Sequence, residues 1–92
     1  MFARRLLIQR IDTEGNVHPC PIQWIDSFSM RNVTNDAIFD DTRPVADGVL
    51  EVGYRVPIVR LQASMADWFS RKNYLGSGEQ LRISEPEVDA HE

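Results

Sequence analysis

A chain of 92 residues is long enough for one hydrophobic core and too short for two ordinary domains. With 42% hydrophobic and 26% charged residues, its composition is that of a globular protein and argues against wholesale disorder. The net charge of −4 disfavours a general binder of nucleic acid or of anionic membranes, since both need a basic surface. We therefore expect a single β-rich domain over residues 1–84, followed by an acidic tail over residues 85–92.

The cysteine content and the hydropathy pattern bear on the cellular compartment. Cys20 is the single cysteine and cannot form an intrachain disulfide. The apolar run near the N-terminus stops after three residues, which is too short for the core of a signal peptide. Apolar runs elsewhere fall well short of the ~18 residues that a membrane span needs. These features predict a cytoplasmic or virion-associated protein that is not secreted and has no membrane partner.

The first predicted element is a strand over residues 3–11, which is rich in leucine and isoleucine. It ends in a cluster of turn formers around Gly15, which can take a positive φ, so a hairpin is predicted. The return strand begins near Val17. Because Pro19 and Pro21 cannot donate ladder hydrogen bonds, they predict an edge or a bulge in that strand.

Part of this hairpin resembles a known family. The run Arg5-Leu6-Leu7-Ile8-Gln9-Arg10, followed by Asp12 and Gly15, resembles the first strand and turn of tailed-bacteriophage head–tail adaptor proteins. The resemblance covers about a dozen residues and implies a small β-rich joining subunit. The rest of the chain departs from that family's pattern, so no family is assigned.

Residues 22–32 allow two interpretations. Apolar side chains recur at even positions with polar ones between them, which predicts a half-buried strand whose pattern Asp26 breaks. A short helix starting after Pro21 would also place Trp24 beside Phe28. We favour the strand because isoleucine, tryptophan, phenylalanine and serine are middling helix formers and no N-cap is obvious.

Residues 34–48 are predicted to be mostly loop, with a candidate short strand at 37–39, and so long a connection in a small domain is often functional. The clearest strand follows over residues 50–56. Pro57 ends or bends this strand, and residues 58–63 are predicted to continue extended. The side chains predicted to face the core from the clearest strand are Leu50, Val52, Tyr54 and Val56.

One short helix is predicted near residues 64–73. Ser64 and Asp67 form a capping-box-like start, and apolar side chains recur after them at helical spacing. A last strand is predicted over residues 80–84. The order predicts a mainly β, α+β fold, which is a small antiparallel sheet or a partly open β-barrel with one short helix.

The sequence contains no constellation that predicts catalysis or a metal centre. Residues two apart in an extended segment have Cα atoms ~6.5–7 Å apart, so His18 and Cys20 are too distant for a nucleophile and its base unless the chain bends. The acids between residues 36 and 47 lack the spacing of a calcium loop. One cysteine and two distant histidines do not form a zinc site. We predict a protein that is not an enzyme and has no cofactor or metal.

The leading functional hypothesis is a non-enzymatic protein–protein interaction or assembly subunit, such as an adaptor of a phage-like particle. Its partners would be other protein subunits in a homo- or hetero-oligomer. Adjacent Trp68 and Phe69 cannot both point inward from a helix, so one of them is expected to form an exposed anchor. The predicted partner-binding residues are Asp36, Asp40, Asp41 and Asp47 in the loop, Trp68 and Phe69 in the helix, and Glu85, Glu87 and Asp89 in the tail.

Two alternatives stay open. The first is an OB-like nucleic-acid-binding module, which the net negative charge disfavours. The second is an acidic inhibitor that mimics nucleic acid through the acidic loop and tail. The residues assigned to the first alternative are Arg55, Arg60, Arg71, Lys72 and Arg82, with Tyr54 or Tyr74 for base stacking.

Overall fold

The computed structural model describes residues 4–31 and 41–86. In these ranges it forms an antiparallel open sheet with two helices, so the predicted α+β, mainly β class is confirmed. In chain order the elements are β1 (Arg4–Ile11), β2 (Val17–Pro19), α1 (Ile22–Arg31), β3 (Thr42–Ala46), β4 (Val49–Val52), α2 (Ile58–Arg71) and β5 (Gln80–Ser84).

Strand β1 is the centre of the sheet. Leu7 pairs with both β4 and β5, so these two strands lie on opposite edges of β1. Ile11 pairs with both β2 and β5, so β2 shares its edge with β4. Strand β3 pairs with the outer edge of β4. Consequently β5 forms one margin of the sheet, and β2 and β3 form the other.

Along one edge of β1, the pairing partner changes from β2 to β4 at Ile8. The Ile8 amide donates to the Gly48 carbonyl (2.8 Å), and the Ile8 carbonyl accepts from the Cys20 amide (3.1 Å). The Gly48 amide donates in turn to the Cys20 carbonyl (2.6 Å). We call this arrangement of Ile8, Cys20 and Gly48 the Ile8 junction. These hydrogen bonds pair the backbone amides and carbonyls at the point where the end of β2 and the start of β4 meet β1.

The hydrophobic core lies between one face of the sheet and the two helices. Directly paired strand residues share a face, and the helices contribute side chains at three- and four-residue spacing. The buried core residues are Leu6, Ile8, Cys20, Ile25, Phe28, Leu50, Val52, Val56, Leu61, Met65, Phe69, Leu81 and Ile83. Within the described residues, both helices therefore cover the same face of the sheet.

Residues 22–31 form helix α1, so the strand that we favoured is wrong and the alternative helix is correct. The amide of Ile22 donates to the Asp47 carboxylate (2.8 Å), which lies 25 positions later in the sequence. Asp47 therefore acts as the N-cap side chain of α1 from the turn between β3 and β4. Ile25 and Phe28, three residues apart, are buried on the inner face of the helix.

Helix α2 begins at Ile58, six residues before the predicted start at Ser64, so the extended conformation predicted for 58–63 is wrong. Pro57 occupies the N-cap position with φ −77° and ψ 126°. Proline suits a helix start because the amide that it lacks would have no partner inside the helix. The buried residues of α2 are Leu61, Met65 and Phe69, which are spaced four residues apart.

The strand predicted over residues 50–56 ends at Val52. A turn follows, closed by a hydrogen bond from the Val56 amide to the Gly53 carbonyl (3.3 Å). Tyr54 lies in this turn and is 76% exposed, so its predicted inward orientation is wrong.

Part of the predicted 34–48 loop is strand β3. It pairs with β4 and shifts register between Pro44 and Ala46, as expected of proline in an edge strand. The candidate strand at 37–39 lies outside the described residues.

The Ile8 junction predicts that Gly48→Ala destabilises the domain more than a matched glycine substitution. Gly48 has φ +72°, and a Cβ there would lie 2.8 Å from the Pro19 Cβ, so both backbone strain and overlap oppose alanine. We expect a loss of about 2–4 kcal/mol in the free energy of unfolding, measured with urea.

The control is Gly15→Ala. Gly15 has φ +85°, but a Cβ there would meet nothing within 4 Å. Its expected loss is about 1 kcal/mol, from backbone strain alone. Equal losses for the two variants would show that the junction tolerates a side chain.

Candidate partner-binding site

Exposed apolar side chains occur on helix α2 and in the turn before it. Among the described residues, the most exposed large hydrophobic side chains are Val59, 84% exposed, and Tyr54, 76% exposed. A groove of about 320 Å³ lies beside Val59. It is lined by Ile58, Val59, Gln62, Ala63 and Ala66, and we call it the α2 groove.

The α2 groove lies beside the outer edge of β5, because Gln62 contacts both. The Gln62 Nε2 donates to the Leu81 carbonyl (3.2 Å), and its Oε1 accepts from the Ile83 amide (3.1 Å). Strand β5 pairs with β1 along its other edge. One side-chain amide therefore satisfies a backbone donor and a backbone acceptor at the margin of the sheet.

Arg4 fixes the turn that carries Tyr54. Its Nη1 donates to the carbonyls of Val56 (2.9 Å) and Tyr54 (3.3 Å). Its Nε also lies 3.4 Å from a carboxylate oxygen of Glu85. The guanidinium thus joins the first strand, the turn before α2 and the residue that follows β5, and it holds Tyr54 in an exposed position.

The predicted acidic binding residues do not converge on the α2 groove in the part of the chain that the structure describes. The Asp47 carboxylate caps α1, and Glu85 is paired with Arg4. Asp41 accepts a hydrogen bond at its backbone carbonyl from the Gly53 amide (2.9 Å). Partner binding by these acids stays a prediction. The other predicted acids, Asp36, Asp40, Glu87 and Asp89, lie outside the described residues.

Of the adjacent aromatic pair in α2, Phe69 is fully buried, which corrects its place among the partner-binding candidates. Trp68 keeps some exposed surface. Its Nε1 donates to the Ser27 Oγ (3.2 Å), and the Lys72 Nζ lies 4.8 Å from the ring centroid. Trp68 therefore joins the two helices, and a contact with a partner through its remaining surface stays a prediction.

Several residues assigned to the nucleic-acid alternative make contacts inside the chain. Tyr74 stacks on Trp24 with ring centroids 4.5 Å apart and an interplanar angle of 6°. Arg71 pairs with Asp67 at 2.5 Å, and Arg82 donates to the Gln9 Oε1 at 2.8 Å. These contacts leave Tyr54, rather than Tyr74, as the tyrosine available for stacking.

His18 and Cys20, considered above as a base and its nucleophile, lie in different environments. The His18 Nε2 donates to the Asp12 carboxylate (2.9 Å). Cys20 is fully buried, and this burial, opposed by the charge of Arg10, raises the pKa of its thiol to about 11. A protonated, buried thiol is a poor nucleophile.

Within residues 4–31 and 41–86, no three His, Cys, Asp or Glu side chains lie close enough together to hold a metal ion. The same part of the chain contains no helix that is both long and apolar enough to cross a membrane.

Comparisons of the chain with protein-family models, with curated proteins and with solved structures found no match.

The hairpin turn predicts a pH dependence of stability. The Asp12 carboxylate accepts from the amides of Glu14 and Asn16 and from His18, each at 2.9 Å. The His18 hydrogen bond and then the Asn16 amide lower the pKa of Asp12 from 3.8 to about 2. Between these values the unfolded chain binds more protons than the folded chain, so Asp12 stabilises the fold above pH 4 and loses this effect as the pH falls towards 2.

This dependence is measured as the free energy of unfolding of the wild type and of Asp12→Asn from pH 6 to pH 2. Asparagine keeps an acceptor for the two turn amides but does not titrate. We expect the advantage of the wild type to shrink over that interval. A difference that stays constant with pH would contradict the role given to the carboxylate charge.

The burial of Cys20 predicts slow reaction with a thiol probe. In the native protein the thiol should react with a disulfide reagent at least about 100-fold more slowly than in urea, because it is both covered and protonated. The reaction is followed by absorbance at pH 8. Comparable rates in the folded and unfolded chains would instead indicate an accessible, activated thiol.

Proposed function

We propose that this chain is a non-enzymatic subunit that binds other protein subunits through the α2 groove and the exposed Tyr54. The observation that carries the proposal is the highly exposed Val59 in the wall of an apolar groove. The exposed Tyr54 lies in the turn that leads into the same helix. Single exposed hydrophobic residues are ordinary on protein surfaces, whereas an exposed apolar side chain in the wall of a concave apolar surface is typical of interaction sites.

The chemistry of this surface suits a protein partner. Tyrosine is enriched at interface centres because its ring buries a large area while its hydroxyl keeps a hydrogen bond. Ala63 and Ala66 present small side chains in the groove, so another chain can approach the helix backbone closely. Arg4 fixes the turn of Tyr54 before binding, which reduces the conformational entropy that association costs.

The absence of catalysis is part of the proposal. The raised pKa of Cys20 and the bond between His18 and Asp12 support it. A narrower proposal is an adaptor of a phage-like particle, which would act in the virion or the cytoplasm. Its support is the resemblance of β1 and the turn after it to head–tail adaptor proteins.

The alternatives make different predictions for the same surface. A nucleic-acid-binding module would use Tyr54 with the neighbouring Arg55, both exposed, and its binding would fall steeply with salt. An acidic inhibitor would bind its target through carboxylates, and this binding would also weaken as the salt concentration rises. Apolar association through Val59 depends much less on ionic strength.

The proposal predicts that Val59→Asp weakens association with partner subunits strongly and leaves the fold intact. The full chain is purified from the cells that produce it, stoichiometric partners are identified by native mass spectrometry, and one partner is reconstituted with the wild type and the variant. Because a charge in an apolar interface is costly, we expect affinity to fall at least about 30-fold, at low and at high salt.

The matched control is Val17→Asp, which changes an exposed valine, 45% exposed, in β2 on the other side of β1 from β5. It should bind the partner like the wild type. The proposal fails if Val59→Asp binds as tightly as the wild type. It also fails if the only stoichiometric partner is a nucleic acid.

A further inference from the structure

We propose that an extended segment of the partner protein adds to the outer edge of β5 as a further strand and lies in the α2 groove. This inference rests on the proposed function and specifies how the partner is held. The mode is β-strand addition, in which main-chain hydrogen bonds supply affinity and alternate side-chain positions supply specificity.

The hydrogen-bonding groups of β5 alternate between its two edges. The Ile8 amide and carbonyl both point away from β5, towards Gly48 and Cys20. In an antiparallel ladder the neighbouring residues of β1 therefore bond to β5, which they do through the pairs centred on Gln9 and Arg82. Leu81 and Ile83 consequently direct their amides and carbonyls to the outer edge.

Gln62 occupies the position that an added strand would take. Its amide donates to the Leu81 carbonyl and accepts from the Ile83 amide, at 3.2 and 3.1 Å. A backbone peptide group offers the same donor and acceptor. Since Gln62 is attached by a flexible side chain, it can rotate away when an incoming strand supplies those bonds, whereas an edge left bare would favour unwanted pairing.

The surroundings of β5 define the side chains that such a segment would carry. Alternate residues would face α2, where Val59 and Ala63 form an apolar wall. The residues between them would lie beside Arg82, on the other face of the sheet. Arg82 is exposed, and its guanidinium donates to the uncharged amide oxygen of Gln9 at 2.8 and 3.2 Å. Charge complementarity therefore favours a segment in which apolar residues alternate with acidic ones.

The same charge disfavours a second copy of this chain at the edge. In an antiparallel pair of two β5 strands centred on Arg82, each guanidinium would face its symmetry mate across the pair. Like charges directly opposite each other destabilise a sheet. The structure thus favours a foreign acidic strand.

The test uses synthetic eight-residue peptides, capped at both ends, and the full-length ¹⁵N-labelled chain. One peptide alternates valine with glutamate, a second alternates valine with lysine, and a third is the glutamate peptide with methylated backbone amides. We expect the glutamate peptide to bind, with the largest shifts at the amides of Leu81 and Ile83. The lysine and methylated peptides should bind at least about tenfold more weakly.

Variants separate the contributions of the site. Gln62→Ala should bind the glutamate peptide about fivefold tighter, because the competing amide is gone. Val59→Asp should bind it at least about tenfold more weakly, while Val17→Asp matches the wild type. Arg82→Glu should reverse the preference in favour of the lysine peptide. Circular dichroism verifies that each variant is folded.

Three results would overturn the inference. The first is that the glutamate peptide at about 1 mM binds neither the wild type nor Gln62→Ala. The second is that the methylated peptide binds as tightly as the unmethylated glutamate peptide. The third is that the chain dimerises without peptide and the dimer protects the amides of Leu81 and Ile83. If Val59→Asp weakens subunit association as predicted but the peptide does not bind, the proposed function stands and the strand-addition mode fails. If the peptide binds but the chain has no protein partner, the edge site stands and the proposed function fails.

Discussion

The fold depends on the backbone hydrogen bonds made by one residue of the central strand. At Ile8 the chain bonds to Cys20 and Gly48 at the same time, while the Ile8 side chain lies in the core. This arrangement sets β2 and β4 end to end along one edge of β1. It also fixes the turn before β4, so that Asp47 reaches the first amide of α1. The start of α1 is therefore positioned by a residue from the turn between two strands, while Ile25 and Phe28 pack the helix on the core.

Elements set by local pattern could be predicted from the sequence, and elements set by distant contacts could not. The alternation of Leu81 and Ile83 predicted β5, and the turn formers around Gly15 predicted the hairpin. The N-cap of α1 comes from Asp47, so the residues before Ile22 contain no capping signal. Short apolar runs fit a strand or a helix equally well when their caps are remote.

The candidate site was not among the predicted binding residues, for a similar reason. The residues predicted to bind a partner were charged or aromatic, yet Phe69 belongs to the core and Asp47 caps a helix. The groove is formed by small or neutral side chains such as Gln62 and Ala66. Their four-residue spacing becomes visible only if the helix is taken to start after Pro57. The role of Gln62 needs the position of β5, which follows it by about two turns of helix and a loop.

The pairing of the first strand with the last has a consequence for folding. Leu7 lies opposite Ser84, so the centre of the sheet is complete only after residue 84 has been synthesised. Until then Ile8 lacks its neighbour Ile83, and one edge of β1 is unpaired. Contacts between such distant parts of the sequence form slowly, because closing the loop costs entropy before the contact stabilises it. During synthesis the nascent domain therefore exposes apolar surface that a chaperone can bind.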